Sequence, residues 1–382
     1  MYAIGLMSGT SLDGIDAVLC EITGSKETTS VEQLGFVTVP YSNDLVEKIK
    51  VSCDINASDV QTICSLNFEL GKAFSKAVTI LLEETQFDKR IDFIATHGQT
   101  IYHLPHANNK YAASTLQIGE PAILAYDHHT KVISNFRVMD IVAKGEGAPM
   151  VPYSEYILYN KKDKTTVLQN IGGIGNVTIL PAKGTIEDAY AFDTGPGNMM
   201  IDEAMKQLYN KNYDKSGETA AKGQVIEELL QKLLSNPYIN KIPPKTTGRE
   251  MFGKQYITPL IKEYKKYNKE DIITTLTKFT ALTITLNYKM FIMNRHTIDT
   301  VIIGGGGAHN TTLLNYIKEE LEDIEVITQE EAGYSSDSKE AIAFVILGNE
   351  TLHGNSSNIK LATGAKHSVI LGNITPNPWG GN

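Results

Sequence analysis

The chain has 382 residues, 42% of them hydrophobic and 21% charged, with a formal net charge of −9. That length implies two domains, and the lack of a basic surplus argues against nucleic acid as a partner. Three cysteines without paired metal spacing, no basic leader and no apolar run of spanning length give the expectation of a reduced, cytoplasmic protein with no membrane partner.

The first stretch reads as strand 2–7, polar loop 8–16 and strand 17–22, with Gly9 and Gly14 set among small hydroxyl residues. Such a loop brings backbone N–H groups to one point and suits a phosphate, although the same residues also make ordinary hairpin turns. A third strand is expected over 32–40. Ser58 then reads as the N-cap of a helix bearing Val60, Ile63, Leu66, Leu70, Phe74, Ala77 and Leu81. Strand 91–96 runs into His97-Gly-Gln99, followed by strand 114–118, helix 119–129 and strand 132–136. The Gly- and Pro-rich run 144–152 is a candidate domain crossing.

The second half opens in the same form: strand 166–171, glycine turn 172–176, strand 177–180. This suggests duplication, with each hairpin loop facing a phosphate. Strand 190–193 leads into Thr194-Gly-Pro-Gly-Asn198 and helix 199–208. Residues 216–235 read as largely helical, 236–253 as a loop, and 271–295 as the longest amphipathic helix. Strand 300–303 meets a four-glycine loop and helix 311–321. Strand 325–327, apolar helix 338–349 and an irregular tail from 364 complete the chain.

No glycine loop fits the Walker or dinucleotide pattern. Together, the loops at Gly9, Gly172 and Gly304 fit a nucleotide site drawn from two domains, with the Gly304 loop near base and ribose. Asp193 stands at the carboxyl end of a strand, where open α/β sheets place their ligands, and a carboxylate there can deprotonate a nucleophile. Its alternative is an Asx turn or a helix N-cap. Glu340 has a capping-box alternative with Asp337, and Arg137 reads as an anion ligand or a surface ion-pair partner.

These residues carry a resemblance to the anhydro-N-acetylmuramic acid kinase family of the sugar-kinase, actin and heat-shock-chaperone ATPase superfamily. It rests on Gly5-Leu-Met-Ser-Gly-Thr-Ser-Leu-Asp-Gly-Ile-Asp16, Thr96-His-Gly-Gln-Thr100 and Thr115-Leu-Gln-Ile-Gly-Glu-Pro121. It continues through Asn170-Ile-Gly-Gly-Ile-Gly-Asn176, Phe192-Asp-Thr-Gly-Pro-Gly-Asn198, Thr247-Gly-Arg-Glu250 and Gly304-Gly-Gly-Gly307.

The resemblance implies an α/β fold of two related domains, with mixed β-sheets flanked by helices in the actin-like ATPase and hexokinase manner around a central cleft. The domains would span 1–137 and 138–382, with the C-terminal helix and tail able to return to the first. It implies Mg²⁺- and ATP-dependent opening and O6 phosphorylation of anhydro-N-acetylmuramic acid in peptidoglycan recycling. ATP would be held by Gly9, Thr10, Ser11, Leu12, Asp13, Gly14, Ile15 and Asp16, and by Gly172, Gly173, Asn176, Gly195, Gly304, Gly305 and Gly306. Asp193 would be the general base. Gln99, Arg137 and Glu340 would lie at the sugar, and Asp13 and Asp16 would hold Mg²⁺ through water.

The resemblance leaves a homodimer open. Asn135 and the run Lys144-Gly-Glu-Gly147 depart from the family pattern and bear on sugar specificity. The competing readings are a kinase for another amino sugar or hexose, and a non-metabolic actin- or chaperone-like ATPase.

Overall fold

Strands and helices alternate through both halves of the chain, and the structure, a computed structural model, describes residues 1–9, 12–333 and 335–380 apart from the Glu250 side chain. Thr10 and Ser11 of the first loop therefore lie outside the described residues. The first elements are β1 (Tyr2–Met7), β2 (Gly14–Thr23), β3 (Ser30–Pro40), α1 (Asn43–Cys53), α2 (Val60–Thr85), β4 (Phe93–Thr96), β5 (Gln99–Leu104) and β6 (Ser114–Ile118). Next come α3 (Pro121–His128), β7 (Lys131–Ser134), α4 (Phe136–Val142), α5 (Val151–Tyr159), β8 (Thr166–Ile171), β9 (Ile174–Leu180), β10 (Tyr190–Pro196) and α6 (Met199–Tyr209). The rest are α7 (Glu227–Leu234), α8 (Arg249–Phe252), α9 (Lys254–Glu263), α10 (Lys269–Asn287), β11 (Thr300–Gly304), α11 (Thr311–Glu320), β12 (Glu325–Thr328), α12 (Lys339–Leu352), α13 (Lys360–Thr363) and β13 (Asn373–Thr375).

Two units result: Met1–Leu158 with Asp337–Asn382, and Tyr159–Ser336. The sequence-based break at 137 falls inside the first unit. Phe136 is buried there against the Phe344 ring of α12, and buried Asp140 bonds Gly147, Asn358 and Thr363. These contacts hold α4 and the chain that follows it to the first unit.

The first unit's sheet has the order β13-β7-β4-β1-β2-β3, with β1, β2 and β3 antiparallel and β1, β4 and β7 parallel. Side chains alternate across β1. Ile4 and Leu6 join Leu66, Leu70, Phe74 and Leu81 of α2 in one core. Each such large side chain contributes roughly 1.5–3 kcal/mol on burial. On the other face, Gly5 admits α12 so closely that a Cβ there would strike the Ala341 carbonyl oxygen. The close approach seats the N-terminal turn of α12, and hence Glu340, beside the opening hairpin's strand.

α2 starts from Asp59 rather than Ser58, because the Asp59 carboxylate accepts the Thr62 N–H at 2.8 Å. With 26 residues it exceeds α10, which has 19 before its backbone widens into a π-turn at Tyr288–Ile292. The 132–136 strand stops at Ser134, where Asn135 turns left-handed and α4 begins. The tail is less irregular than expected, since β13 pairs with β7.

The second unit repeats the motif: β10-β9-β8-β11-β12, with β8, β9 and β10 antiparallel and β8, β11 and β12 parallel. Both units thus carry the order three-two-one followed by two parallel strands, which is the duplication suggested by the two hairpins. Val167, Ile171, Val177 and Val301 pack against Ala281, Ile284 and Tyr288. Residues 216–226 are not a regular α-helix. There Asp214 accepts the Thr219 and Ala220 N–H groups and Thr275 accepts that of Ile226, so side chains take the bonds a helix would use.

Candidate active site

In the first unit, the 97–99 turn links the opening hairpin to α4. The Ser8 hydroxyl donates to Gln99 Oε1 at 2.6 Å and lies 2.7 Å from the Tyr41 hydroxyl. Next to it, Arg137 Nε donates to His97 Nε2 at 2.9 Å, and Nη1 donates to the Gly147 carbonyl at 2.7 Å. Burial holds the Arg137 pKa below its usual value, with the Glu340 charge opposing. A cavity of about 330 Å³, lined in part by His97, Gln117, Glu120 and Asn135, opens beside this turn.

Glu340 is solvent-exposed at its surface, yet loss of hydration around its carboxyl raises its pKa. Lys339 opposes that rise, Asp16 adds to it and Arg137 opposes it. The capping-box alternative fails: Ser338 is the N-cap and makes no side-chain cap bond. Asp16 accepts the Thr38 hydroxyl at 2.7 Å. Its pKa is raised by burial, lowered by that bond, and raised again by the Asp337 and Asp13 charges. Among the described residues no group of three His, Cys, Asp or Glu side chains could hold a metal directly. The repulsion among the acids near Asp16 does fit a hydrated divalent cation.

In the second unit, β9 and β10 bring Asp193 opposite Asn176. Gly195, at φ +136°, then bulges the strand. Gly197 and Asn198 N–H groups donate to Gly173 and Gly172, so the 172–176 and 194–198 loops are tied together. From below, the Tyr288 hydroxyl donates to Gln169, which donates to Thr194, and Asn287 donates to the Thr194 carbonyl.

Asp193 is half-buried in β10, before the α6 N-cap Asn198, so it is not a helix cap. Its Oδ2 accepts the Thr247 N–H at 2.9 Å, and no bond to Oδ1 is found among the described residues. Burial raises its pKa, while the Thr247 bond and the Lys245 charge oppose the rise. Lys245 is buried, donates to the Tyr238 and Ile239 carbonyls, and is pushed down to about 8, chiefly by burial.

Beside the Gly304 loop, a cavity of about 500 Å³ is lined by Asn198, Asp202, Tyr213, Asp214, Gly306 and Asn310. Burial, then the Asp214 charge, pushes the Asp202 pKa up to about 6. A neighbouring cavity of about 690 Å³ includes Gly173, Asp202, Lys206, Arg249 and Lys254.

Of the expected residues, the first unit therefore gathers Asp16, Gln99, Arg137 and Glu340. The second gathers Gly172, Gly173, Asn176, Asp193, Gly195 and the 304–306 loop. Gly14 has a structural use of its own, since a Cβ there would strike the Val39 carbonyl oxygen of β3. Lys245, Tyr238, Asp202 and Asp214 escaped sequence reasoning, although Pro243-Pro-Lys245 beside Thr247 is a signal that could have found the first.

Comparison with known proteins covers almost the whole chain. The sequence profile of the family described as anhydro-N-acetylmuramic acid kinase matches residues 1–377. The anhydro-N-acetylmuramic acid kinase of Clostridioides difficile is 57% identical over 382 residues, covering 100% of both chains. That of Bacillus cereus is 52% identical over 378 residues, covering 98% of this chain and 99% of the relative. Among solved structures, the activator of the 2-hydroxyisocaproyl-CoA dehydratase from Clostridium difficile with bound ADPNP covers 91% of this chain and 93% of its own, at 12% identity and a TM-score of 0.42. The chain is a phosphotransferase of the class that uses an alcohol group as acceptor. It belongs to the anhydro-N-acetylmuramic acid kinase family.

Proposed function

We propose that this enzyme opens the 1,6-anhydro ring of anhydro-N-acetylmuramic acid with water and phosphorylates O6 from ATP. The products are N-acetylmuramic acid 6-phosphate and ADP. The observation that carries the reading is the 57% identity over the full length to a relative of that name. Asp193 supports it: it lies within β10 just before the bulge at Gly195, with no bond to its Oδ1 among the described residues.

Asp193 takes a proton from water as the water oxygen bonds to C1 and the C1–O6 bond breaks. O6 then bonds to the γ-phosphorus, and the bond to ADP breaks. Gly9 to Asp16 and the Gly172–Asn176 turn cradle phosphates with backbone N–H groups. The cavity beside Gly306 takes the nucleoside. Gln99, Arg137 and Glu340 bind the sugar. Asp13 and Asp16 hold Mg²⁺ through water, and the ion's chemistry there is to offset phosphate charge.

No helix among the described residues is long and apolar enough to cross a membrane, and we place the reaction in the cytoplasm, in cell-wall recycling. Sedimentation velocity distinguishes a monomer from a homodimer.

The test is product mass spectrometry in ¹⁸O-water with Mg²⁺-ATP, quenched before anomeric exchange. One solvent oxygen at C1 of the phosphorylated sugar is expected. Phosphorylation without solvent oxygen, or preference for a reducing sugar, overturns the reading.

A further inference from the structure

We infer that His97 is a positioning residue for Arg137: its unprotonated Nε2 accepts the Arg137 Nε–H and aims the guanidinium at the sugar. The inference rests on the proposed place of Arg137 at the sugar.

The tautomer follows from the partners. His97 Nδ1 lies 2.7 Å from the Gly98 carbonyl oxygen, which can only accept, so Nδ1 carries the proton. Nε2 then holds a lone pair, and Arg137 Nε sits 2.9 Å from it. A second bond, from Nη1 to the Gly147 carbonyl at 2.7 Å, fixes the plane of the guanidinium as well as its position. Both supports are themselves held. Gly98 N–H donates to Thr96 Oγ1 at 3.1 Å, and the Gly147 N–H donates to buried Asp140 at 2.8 Å. The Phe344 ring lies 5.1 Å from the imidazole, which is only 4% exposed.

The choice of histidine has a chemical consequence. A carboxylate is the ordinary partner for a buried arginine, and it would cancel the charge while orienting it. A neutral imidazole orients the guanidinium and leaves its charge intact. Two donors would face each other if His97 gained a proton. Burial, then the Arg137 charge, pushes its pKa down to about 3 against the opposing bonds at Gly98 and Ser8. The contact therefore persists throughout the neutral range. Arg137 keeps its Nη2 hydrogens and one on Nη1 for acceptor oxygens of the sugar or its acidic side group.

Two substitutions separate the ring nitrogens. His97→Asn keeps a polar group near the Nδ1 position and loses the Nε2 acceptor, whereas His97→Gln places a carbonyl oxygen at the reach of Nε2. H97N is expected to lower kcat/KM for the anhydro sugar by about ten- to a hundredfold, as befits one hydrogen bond to a charged group. The loss should appear in the sugar KM with the ATP KM unchanged, and H97Q should recover most of it. In an Arg137→Ala background H97N should cost nothing further. An equal loss in both backgrounds, or a loss expressed in the ATP KM, overturns the inference. Unchanged sugar kinetics in R137A alone would instead remove the reading of Arg137 as a sugar ligand. The Arg137 Nε–H resonance then decides the positioning: protected in the unsubstituted protein and H97Q but lost in H97N supports it, and persistence in H97N overturns it.

Discussion

The Thr247 N–H donates to Asp193 Oδ2 at 2.9 Å, across 54 residues of sequence, and so restrains the carboxylate through one oxygen while Oδ1 has no bond among the described residues. The Asp193→Asn variant can keep this bond through its amide oxygen but cannot accept a proton. It should fold with an unchanged melting temperature and lose roughly 10²–10⁴ in kcat, the range for a positioned general base. Near-native turnover would remove Asp193 from the chemistry.

With Asp193 as the proposed base, the same carboxyl should set an acid limit. A general base works only when ionised, and burial raises the Asp193 pKa above its ordinary 3.8, so kcat/KM should fall with decreasing pH through a value above that. The Lys245 charge opposes the rise. Replacing that lysine by methionine removes the opposing charge, so the acid limb should move to higher pH. A pH–rate profile of K245M that overlays the unsubstituted one would show that Lys245 has no electrostatic hold on the base.

Much of this arrangement was legible in the sequence, for local reasons. Glycine and small hydroxyl residues between β-branched runs mark the 8–16 and 172–176 loops, and Asp193 stands at the end of such a run. What closes the site was less legible, because it depends on contacts distant in the chain. His97 meets Arg137 across 40 residues, and Tyr288 reaches Gln169 across 119. Spacing also misled where side chains compete with backbone. The helix expected over 216–235 forms only as the short α7, because Asp214 and Thr275 take N–H groups in the segment ahead of it. Asp337 and Glu340 have capping-box spacing, but the Ser338 hydroxyl donates to Gln33 at 2.6 Å instead of capping α12.

Three glycines separate packing from ligand approach. Gly5→Ala drives a Cβ into the Ala341 carbonyl and the Val345 side chain, so α12 must shift. A loss of about 1–3 kcal/mol in chemical denaturation is expected, with a higher sugar KM from displaced Glu340. Gly14→Ala meets the Val39 carbonyl and should likewise cost stability. At Gly172 an added Cβ finds only ordinary contacts at 3.7 and 3.9 Å. Gly172→Ala should therefore keep its stability within about 0.5 kcal/mol while raising the ATP KM. Equal ATP KM in G172A would mean that phosphates do not approach this turn.

If the cavity beside Gly306 takes the nucleoside as proposed, Asp202 gives that binding its own pH signature. Its carboxyl is pushed up to about 6, first by burial and then by the Asp214 charge. Ionised, it accepts hydrogen bonds from ribose hydroxyls; protonated, it has less acceptor capacity to offer. ATP is a poor reporter, because its own phosphate titrates near this range, as phosphate monoesters do at about 6. Adenosine has no such group. Its inhibition of the kinase reaction should therefore strengthen as pH rises through about 6, following the Asp202 carboxyl. Asp202→Asn should flatten that dependence and hold inhibition near the weaker, acid-side value. A pH dependence that survives in D202N would assign the titration to another group and take ribose recognition away from Asp202.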